Sequence, residues 1–166
     1  QVYSFPGPTF GDGGLMSAVF VHVSDIHFGQ ERDHSIHIHN DVKMQLIEDA
    51  AEVVAGLPTG IAQGILVTGD IAQTGTWQEY EEASKWLDEL AGRIGCPIHR
   101  VQMVPGNHDL DRRKLSVGGS ALIDYIRAGG QAEYEKVFAN PSDRATLLAR
   151  FEDYGRFSFG YRCVLD

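Results

Sequence analysis

Residues 18–27 read AVFVHVSDIH, a β-branched and aromatic run that ends in the polar group Ser24-Asp25-Ile26-His27. A short run with so little polar interruption predicts a β-strand over residues 18–23, buried on both faces. Two further polar islands also end apolar runs, at residues 68–70 (TGD) and 105–109 (PGNHD). The chain therefore gathers oxygen and nitrogen donors at three points where strands are expected to end.

Helical periodicity separates the three islands. Residues 77–94 carry an apolar stripe preceded by a capping-box sequence that begins at Thr76, and residues 41–55 carry another stripe. The stripe of the first helix consists of Val42, Leu46, Ile47, Ala50, Val53 and Val54. Further strands are expected at residues 64–67 and 99–104.

This alternation of strands and helices predicts an α/β fold with a parallel sheet and right-handed crossovers. The carboxyl ends of parallel strands meet at one edge, and ligands bind there in doubly wound sheets. All three islands fall at that edge. Their position and their residue types therefore agree in predicting a functional site.

Composition sets outer limits on the function. A chain of 166 residues with 43% apolar and 22% charged residues is typical of one globular domain. The net charge of -9 argues against a broad nucleic-acid surface, because phosphate backbones are bound largely by Lys and Arg. Two cysteines are too few for a disulfide framework, and the sequence has neither a signal peptide nor an apolar run of about 20 residues, so we expect a cytoplasmic protein.

Four side chains in the islands are candidate metal ligands: Asp25, His27, Asp70 and Asn107. Mixed oxygen and nitrogen donors suit divalent Mn, Fe or Zn. Each residue alone has a simpler interpretation, since Asp often caps a helix or turn and Asn often occupies a left-handed turn. The coincidence of three such islands favours a metal site over three unrelated turns.

The ordered motifs Asp-x-His, Gly-Asp and Gly-Asn-His-Asp resemble the first three motifs of the calcineurin-like metallophosphoesterases over residues 18–111. A Pro before the third motif, as at Pro105, is common in cyclic-nucleotide-type phosphodiesterases. The resemblance implies a metallophosphatase-type β-sandwich flanked by helices. It also implies two divalent metal ions, with Asp25 and His27 on the first, Asp70 bridging both and Asn107 on the second.

The same resemblance implies hydrolysis of a phosphate ester, more specifically a phosphodiester, by a metal-bound hydroxide without a covalent enzyme intermediate. His108 would face the substrate together with Asn107 and donate a proton to the leaving oxygen, and Asp109 would orient the His108 ring. Arg112 could bind a substrate phosphate with its forked donors, although an exposed salt bridge is an equally good interpretation. A nucleotide is a possible substrate, and nucleic acid is a weaker one.

The later family motifs, Gly-His and Gly-His-x-His, do not occur, and no histidine follows His108. We therefore expect an N-terminal part of the domain, with a first β-α-β-α-β half and a helical segment. The remaining ligands would come from a C-terminal half in the same or another chain, and this chain alone would be weakly active or inactive. The alternatives are a noncatalytic scaffold that binds a partner and, secondly, a nuclease.

The expected organisation has three parts. Residues 1–15 are interpreted as a leader or expression remnant, with an arm that packs on the domain as the alternative. Residues 16–166 form the phosphoesterase part, in which residues 19–111 are the α/β core and residues 112–166 a helical extension or cap. The cluster His34, His37 and His39 is expected to lie in a solvated loop rather than to bind metal.

Overall fold

The computed structural model describes residues 1–10, 14–30 and 36–164. Within these ranges the chain forms one four-stranded sheet and six α-helices. The strands are β1 (Val2–Phe10), β2 (Gly14–Val23), β3 (Gly64–Thr68) and β4 (Val101–Val104). The helices are α1 (Ile36–Ala55), α2 (Trp77–Arg93), α3 (Val117–Gly129), α4 (Gln131–Ala139), α5 (Pro141–Leu148) and α6 (Glu152–Gly160). None of the described helices has the length and apolar character needed to cross a membrane.

The predicted parallel sheet is confirmed for three of its four strands. The strand order is β1-β2-β3-β4, with β2, β3 and β4 parallel and β1 antiparallel to β2. Val21 pairs with Ile65, and Ile65 pairs in turn with Val101. The three islands therefore follow strands that lie side by side and end at the same edge.

The prediction that β2 is buried on both faces is wrong. Val19 and Val21 are buried, whereas the intervening Phe20 and His22 are only half-buried, and Leu66 on β3 is exposed. Sequential strand order explains this pattern, because successive right-handed crossovers in one direction put α1 and α2 on the same face. The core therefore lies between that face and the helices, and within the described residues the other face carries no helix.

Helix α1 begins earlier than predicted and buries only one edge of the predicted stripe. Ile47 and Val54 from the stripe are buried together with Lys43, whereas Val42, Leu46 and Val53 from the same stripe are exposed. The Lys43 ammonium lies 4.0 Å from the centroid of the Phe28 ring, so the buried position is compatible with a cation over an aromatic face. A wide apolar stripe does not by itself identify which edge faces the core.

Helix α2 follows the prediction closely. It begins at Trp77, and the Glu79 carboxylate accepts a hydrogen bond from the backbone N–H of Thr76 at 3.1 Å, as a capping box requires. The strand predicted at residues 99–104 is shorter, because Ile98–Arg100 forms a 3₁₀ turn before β4. The helical region predicted after residue 111 ends in α5 and α6, which are separated by a 3₁₀ turn over Ala149–Phe151.

The region after residue 111 is more closely integrated than a separate cap. Helix α6 buries Tyr154 and Phe157 against α2, where the rings of Tyr80 and Phe157 stack with centroids 4.9 Å apart. Val2–Phe10, within the segment interpreted as a leader or expression remnant, pairs with β2 as an antiparallel edge strand.

Candidate metal centre and catalytic site

The loops after β2 and β3 run side by side and hold each other by backbone hydrogen bonds. The N–H of Asp25 donates to Gly69 O at 3.2 Å, and the N–H of His27 donates to Asp70 O at 3.0 Å. These bonds extend the parallel pairing beyond the strands, to a bridge between Phe28 and Ala72. The first two islands are therefore fixed relative to one another by main-chain contacts.

Three site residues have left-handed backbone conformations. The φ angles are 56° at Asp25, 52° at His27 and 53° at Asp70, in a region that non-glycine residues rarely adopt. Such a conformation costs about 1–3 kcal/mol at each residue and persists where surrounding contacts determine it, which is common at functional sites. Here the backbone bonds between the loops provide those contacts.

The side chains of Asp25, His27 and Asp70 converge on one point. One potential ligand atom from each lies within 4.8 Å of the other two, with Asp25 exposed and His27 and Asp70 partly buried. His27 Nδ1 is buried without a hydrogen-bond partner, which is costly unless another group satisfies it. Two carboxylates and one imidazole suit a divalent Mn, Fe or Zn ion, so these residues fit a metal.

Glycine is required where the loops after β3 and β4 touch. A Cβ atom on Gly69 would lie 2.8 Å from Gly106 Cα, and a Cβ on Gly106 would overlap the Asp70 side chain and its backbone N. Gly69 also has a φ of 90°. Because neither glycine has a side chain, the third island can lie directly against Asp70.

His108 lies beside this cluster and is half-buried. Its backbone N–H donates to Asp70 Oδ1 at 2.9 Å, and its ring meets the His27 ring edge-on with centroids 4.8 Å apart. His108 Nδ1 lies 3.0 Å from Gln73 O. A carbonyl oxygen only accepts, so Nδ1 carries a hydrogen and Nε2 is the ring atom left for chemistry.

Asp109 has a different role from the predicted one. The predicted contact with the His108 ring is absent among the described residues, because Gln73 O occupies Nδ1 and the Asp109 carboxylate lies in the core. This carboxylate is fully buried and accepts hydrogen bonds from four donors: the N–H groups of Ile71, Ala72 and Gly106 and the hydroxyl of Tyr80. It joins the loops after β3 and β4 to helix α2.

Burial raises the pKa of Asp109, and the three backbone N–H groups and the Tyr80 hydroxyl partly oppose that rise. The pKa of Tyr80 is strongly raised, first by burial and then by the neighbouring Asp109 charge. Tyr80 lies on the buried side of α2, and its hydroxyl contact with Asp109, 29 positions along the chain, has no local sequence signal. We call Asp109 and its four donors the carboxylate brace.

The remaining predicted residues lie around the same edge. Asn107 is exposed in the loop after β4, next to His108. Arg112 is exposed and lines a cleft of about 320 Å³ together with His108. His34 lies outside the described residues, and the backbone of His37 and His39 belongs to α1 rather than to the predicted loop.

Comparison with known proteins agrees with the motif pattern. A model of the family "Calcineurin-like phosphoesterase" matches residues 18–161, which include the helical region after residue 111. The chain is also 29% identical over 111 residues to the "Uncharacterized metallophosphoesterase-like protein YydB" of Bacillus subtilis (strain 168). That alignment covers 67% of this chain and 21% of the relative, so the match spans about a fifth of the relative's length.

Proposed function

The chain belongs to the calcineurin-like phosphoesterase family, and on that premise we propose that it hydrolyses a phosphodiester at a two-metal site. The family supports the broader activity, metal-dependent phosphoester hydrolysis. The proposal adds the diester, the second metal and the roles of individual residues. The observation that carries it is the convergence of Asp25, His27 and Asp70, with a buried His27 nitrogen that has no protein partner.

We assign Asp25 and His27 to one metal, Asp70 to a position between two metals, and Asn107 to the second. A carboxylate suits the central position because it offsets part of the charge of both ions. Neutral Asn107 adds an oxygen donor without further negative charge, so the site remains attractive to a phosphate. When bound, the metal ions would lower the pKa of a water molecule and neutralise charge on the phosphoryl oxygens.

We assign His108 to the substrate side of the site. The Gln73 carbonyl holds the ring through Nδ1, which supports a fixed orientation for Nε2. In the imidazolium form Nε2 would donate a proton to the leaving oxygen. In the neutral form Nε2 would instead accept a proton, so protonated His108 is the form the proposal requires.

The proposal includes further ligands from outside this chain. Asp25, His27, Asp70 and Asn107 offer few donors for two ions that usually take four to six ligands each. A segment of the same or another polypeptide would complete both coordination shells. We also propose a cytoplasmic setting, which the two free thiols, Cys96 and Cys163, support.

The first test is metal-dependent hydrolysis by the assembled protein, in which this chain is joined or combined with the segment that supplies the further ligands. The assembled protein is treated with a chelator, dialysed, and assayed on bis(p-nitrophenyl) phosphate after addition of Mn, Fe(II) or Zn, with metal binding measured in parallel. His27→Ala should weaken metal binding by about tenfold or more, because it removes one ligand. His99→Ala, which removes an exposed histidine in the turn before β4, is the matched control.

The possible results separate the functions. Metal binding with hydrolysis that the chelator abolishes supports the phosphodiesterase. Metal binding without hydrolysis of any ester supports the noncatalytic scaffold, and preferential cleavage of single-stranded DNA or RNA supports the nuclease. Equal metal binding by His27→Ala and His99→Ala contradicts the assigned site.

A further inference from the structure

We infer that the cleft beside His108 binds a second anionic group of the substrate, a phosphate monoester, and that Arg112 is the residue that binds it. This inference rests on the proposed phosphoester hydrolysis and narrows its substrate class. It concerns a group that is not cleaved and lies away from the residues assigned to metal.

The cleft has the size and position of a subsite. Its volume of about 320 Å³ is at the lower end of ligand sites in proteins, so it suits one substituent of a substrate. Its walls come from the loop after β3 and from the segment that follows the third island. The lining residues are Gln73, Thr74, His108, Leu110, Asp111, Arg112 and Arg113. Because His108 lines the cleft and its backbone N–H donates to Asp70, the cleft lies next to the candidate metal centre.

Three consecutive cationic residues, Arg112, Arg113 and Lys114, follow the third island, and they differ in their partners. Arg113 forms two hydrogen bonds of 2.9 Å to the Asp111 carboxylate. Lys114 bonds to the carboxylates of Glu152 and Asp153 at 2.9 and 3.2 Å. Arg112 has no ion pair within the described residues.

The side chains that line the cleft carry more positive than negative charge, and the buried Glu79 carboxylate lies behind them, where it accepts hydrogen bonds from Thr74. The Arg113 guanidinium lowers the pKa of Asp111, which keeps that carboxylate ionised and paired with Arg113. Arg112 then leaves the lining one positive charge in excess, apart from any charge on His108, although the whole chain carries a net charge of -9. A guanidinium can bind two oxygens of a phosphate with parallel hydrogen bonds, so the excess charge is also suited in shape to that anion.

A matched pair of substrates tests the inference. Thymidine 5′-(p-nitrophenyl phosphate) is compared with the same compound carrying a 3′-phosphate, using the assembled protein, with its further ligands present, loaded with Mn. The 3′-phosphate should raise kcat/KM by about 10-fold to 100-fold, the range expected for a hydrogen bond between charged groups. Arg112→Gln should bring the ratio of the two kcat/KM values close to one. Arg127→Gln removes an exposed arginine on α3 and should leave the ratio at its wild-type value.

A binding measurement keeps this inference separate from the proposed function. Thymidine 3′,5′-bisphosphate is titrated into the metal-free chain in the presence of a chelator. Arg112→Gln should raise the Kd of the bisphosphate by about tenfold or more, whereas Arg127→Gln should leave this Kd unchanged. If neither nitrophenyl ester is hydrolysed, the proposed function fails and this titration alone decides the inference. The inference is overturned if the wild-type ratio of the two kcat/KM values is near one. It is also overturned if Arg112→Gln leaves the affinity for the bisphosphate unchanged.

Discussion

Two carboxylates on neighbouring loops, Asp70 and Asp109, have opposite surroundings. Asp109 is fully buried, and protein donors surround its carboxylate: three backbone N–H groups and one hydroxyl. Asp70 accepts one N–H, from His108, and contributes a potential ligand atom to the cluster with Asp25 and His27. We call those three residues the ligand cluster.

The comparison shows that burial and residue type do not identify a metal ligand by themselves. A carboxylate whose oxygens are occupied by protein donors has little capacity left for a cation, and its energetic role is to hold those donors together. In the ligand cluster, by contrast, His27 Nδ1 is buried without a partner and three residues adopt strained conformations. The carboxylate brace therefore stabilises the scaffold, and the ligand cluster carries the proposed chemistry.

The largest effect is expected for Asp70→Asn. The substitution keeps an oxygen that can accept from His108 N–H but removes the negative charge assigned between the metals. We expect hydrolysis to fall by about 1,000-fold and metal affinity to fall with it, since several kcal/mol of charge stabilisation is lost. Thermal unfolding of the metal-free chain should change little.

The matched control for Asp70→Asn is Asp124→Asn, at an exposed carboxylate on α3. It removes the same charge far from the three islands in sequence and should leave activity and metal affinity unchanged. If Asp70→Asn retained wild-type metal affinity, the ligand cluster would not be the metal site and its contrast with the brace would disappear.

His108→Ala is expected to separate chemistry from metal binding. Loss of a positioned acid typically lowers a rate by about 100-fold to 10,000-fold. Metal affinity should be preserved, because His108 contacts Asp70 through its backbone N–H, which the substitution keeps. The exposed His99→Ala is the control, and its activity should equal that of the wild type. A loss of metal as large as that of Asp70→Asn would instead assign His108 to the ligands.

Asp109→Asn should act mainly on stability. An amide has one acceptor oxygen and would direct its own N–H groups at backbone donors, so buried donors are left unsatisfied. We expect the free energy of unfolding to fall by about 3 kcal/mol, or Tm by roughly 6–12 °C for a chain of this size. Thermal denaturation of the metal-free chain measures the effect.

Tyr80→Phe tests the same carboxylate brace with a smaller change than Asp109→Asn. It removes one of the four donors, keeps the packing of the ring against Phe157, and should cost about 1 kcal/mol. Substitutions at both positions should not be additive, because they share one network. Unchanged stability in Asp109→Asn would show that the brace does not hold the loops after β3 and β4.

Much of this site could be predicted because its signals are local. Apolar runs that end in Asp25, Asp70 and Asn107 put these donors at one edge of a parallel sheet, and the spacing after Thr76 predicted α2. The capping box at Thr76 depends on residues three positions apart, and such contacts are encoded locally.

The features that the sequence does not indicate depend on distant contacts. The role of Asp109 is set by Ile71, Ala72 and Tyr80, which are 29 to 38 positions away. The strand β1 exists through its pairing with β2, although its own composition is rich in Gly and Pro. Which edge of the α1 stripe is buried depends on α1 and α2 sharing one face of the sheet, and that follows from strand order rather than from helical periodicity.

The smallest effect concerns Asp111, a carboxylate that is satisfied by a charged side chain in addition to a backbone N–H. Hydrogen bonds from Arg113 lower its pKa below the ordinary value of 3.8. A carboxylate whose pKa is lowered on folding stabilises the folded chain above the unfolded pKa, and this contribution is lost as the pH falls through the folded pKa. Arg113→Gln should therefore lower Tm by less than about 2 °C at pH 7, because the arginine is largely exposed.

The difference between Arg113→Gln and the wild type should shrink below pH 3.8 and vanish once Asp111 is protonated in both. Tm measured from pH 7 to about pH 2.5 follows this convergence. In an Asp111→Asn background the arginine substitution should have no effect at any pH, since the partner charge is gone. A Tm difference that persisted at low pH would mean that Arg113 stabilises the chain by packing. Asp111 would then resemble Asp70, as a carboxylate that is not held in a stabilising ion pair within the chain.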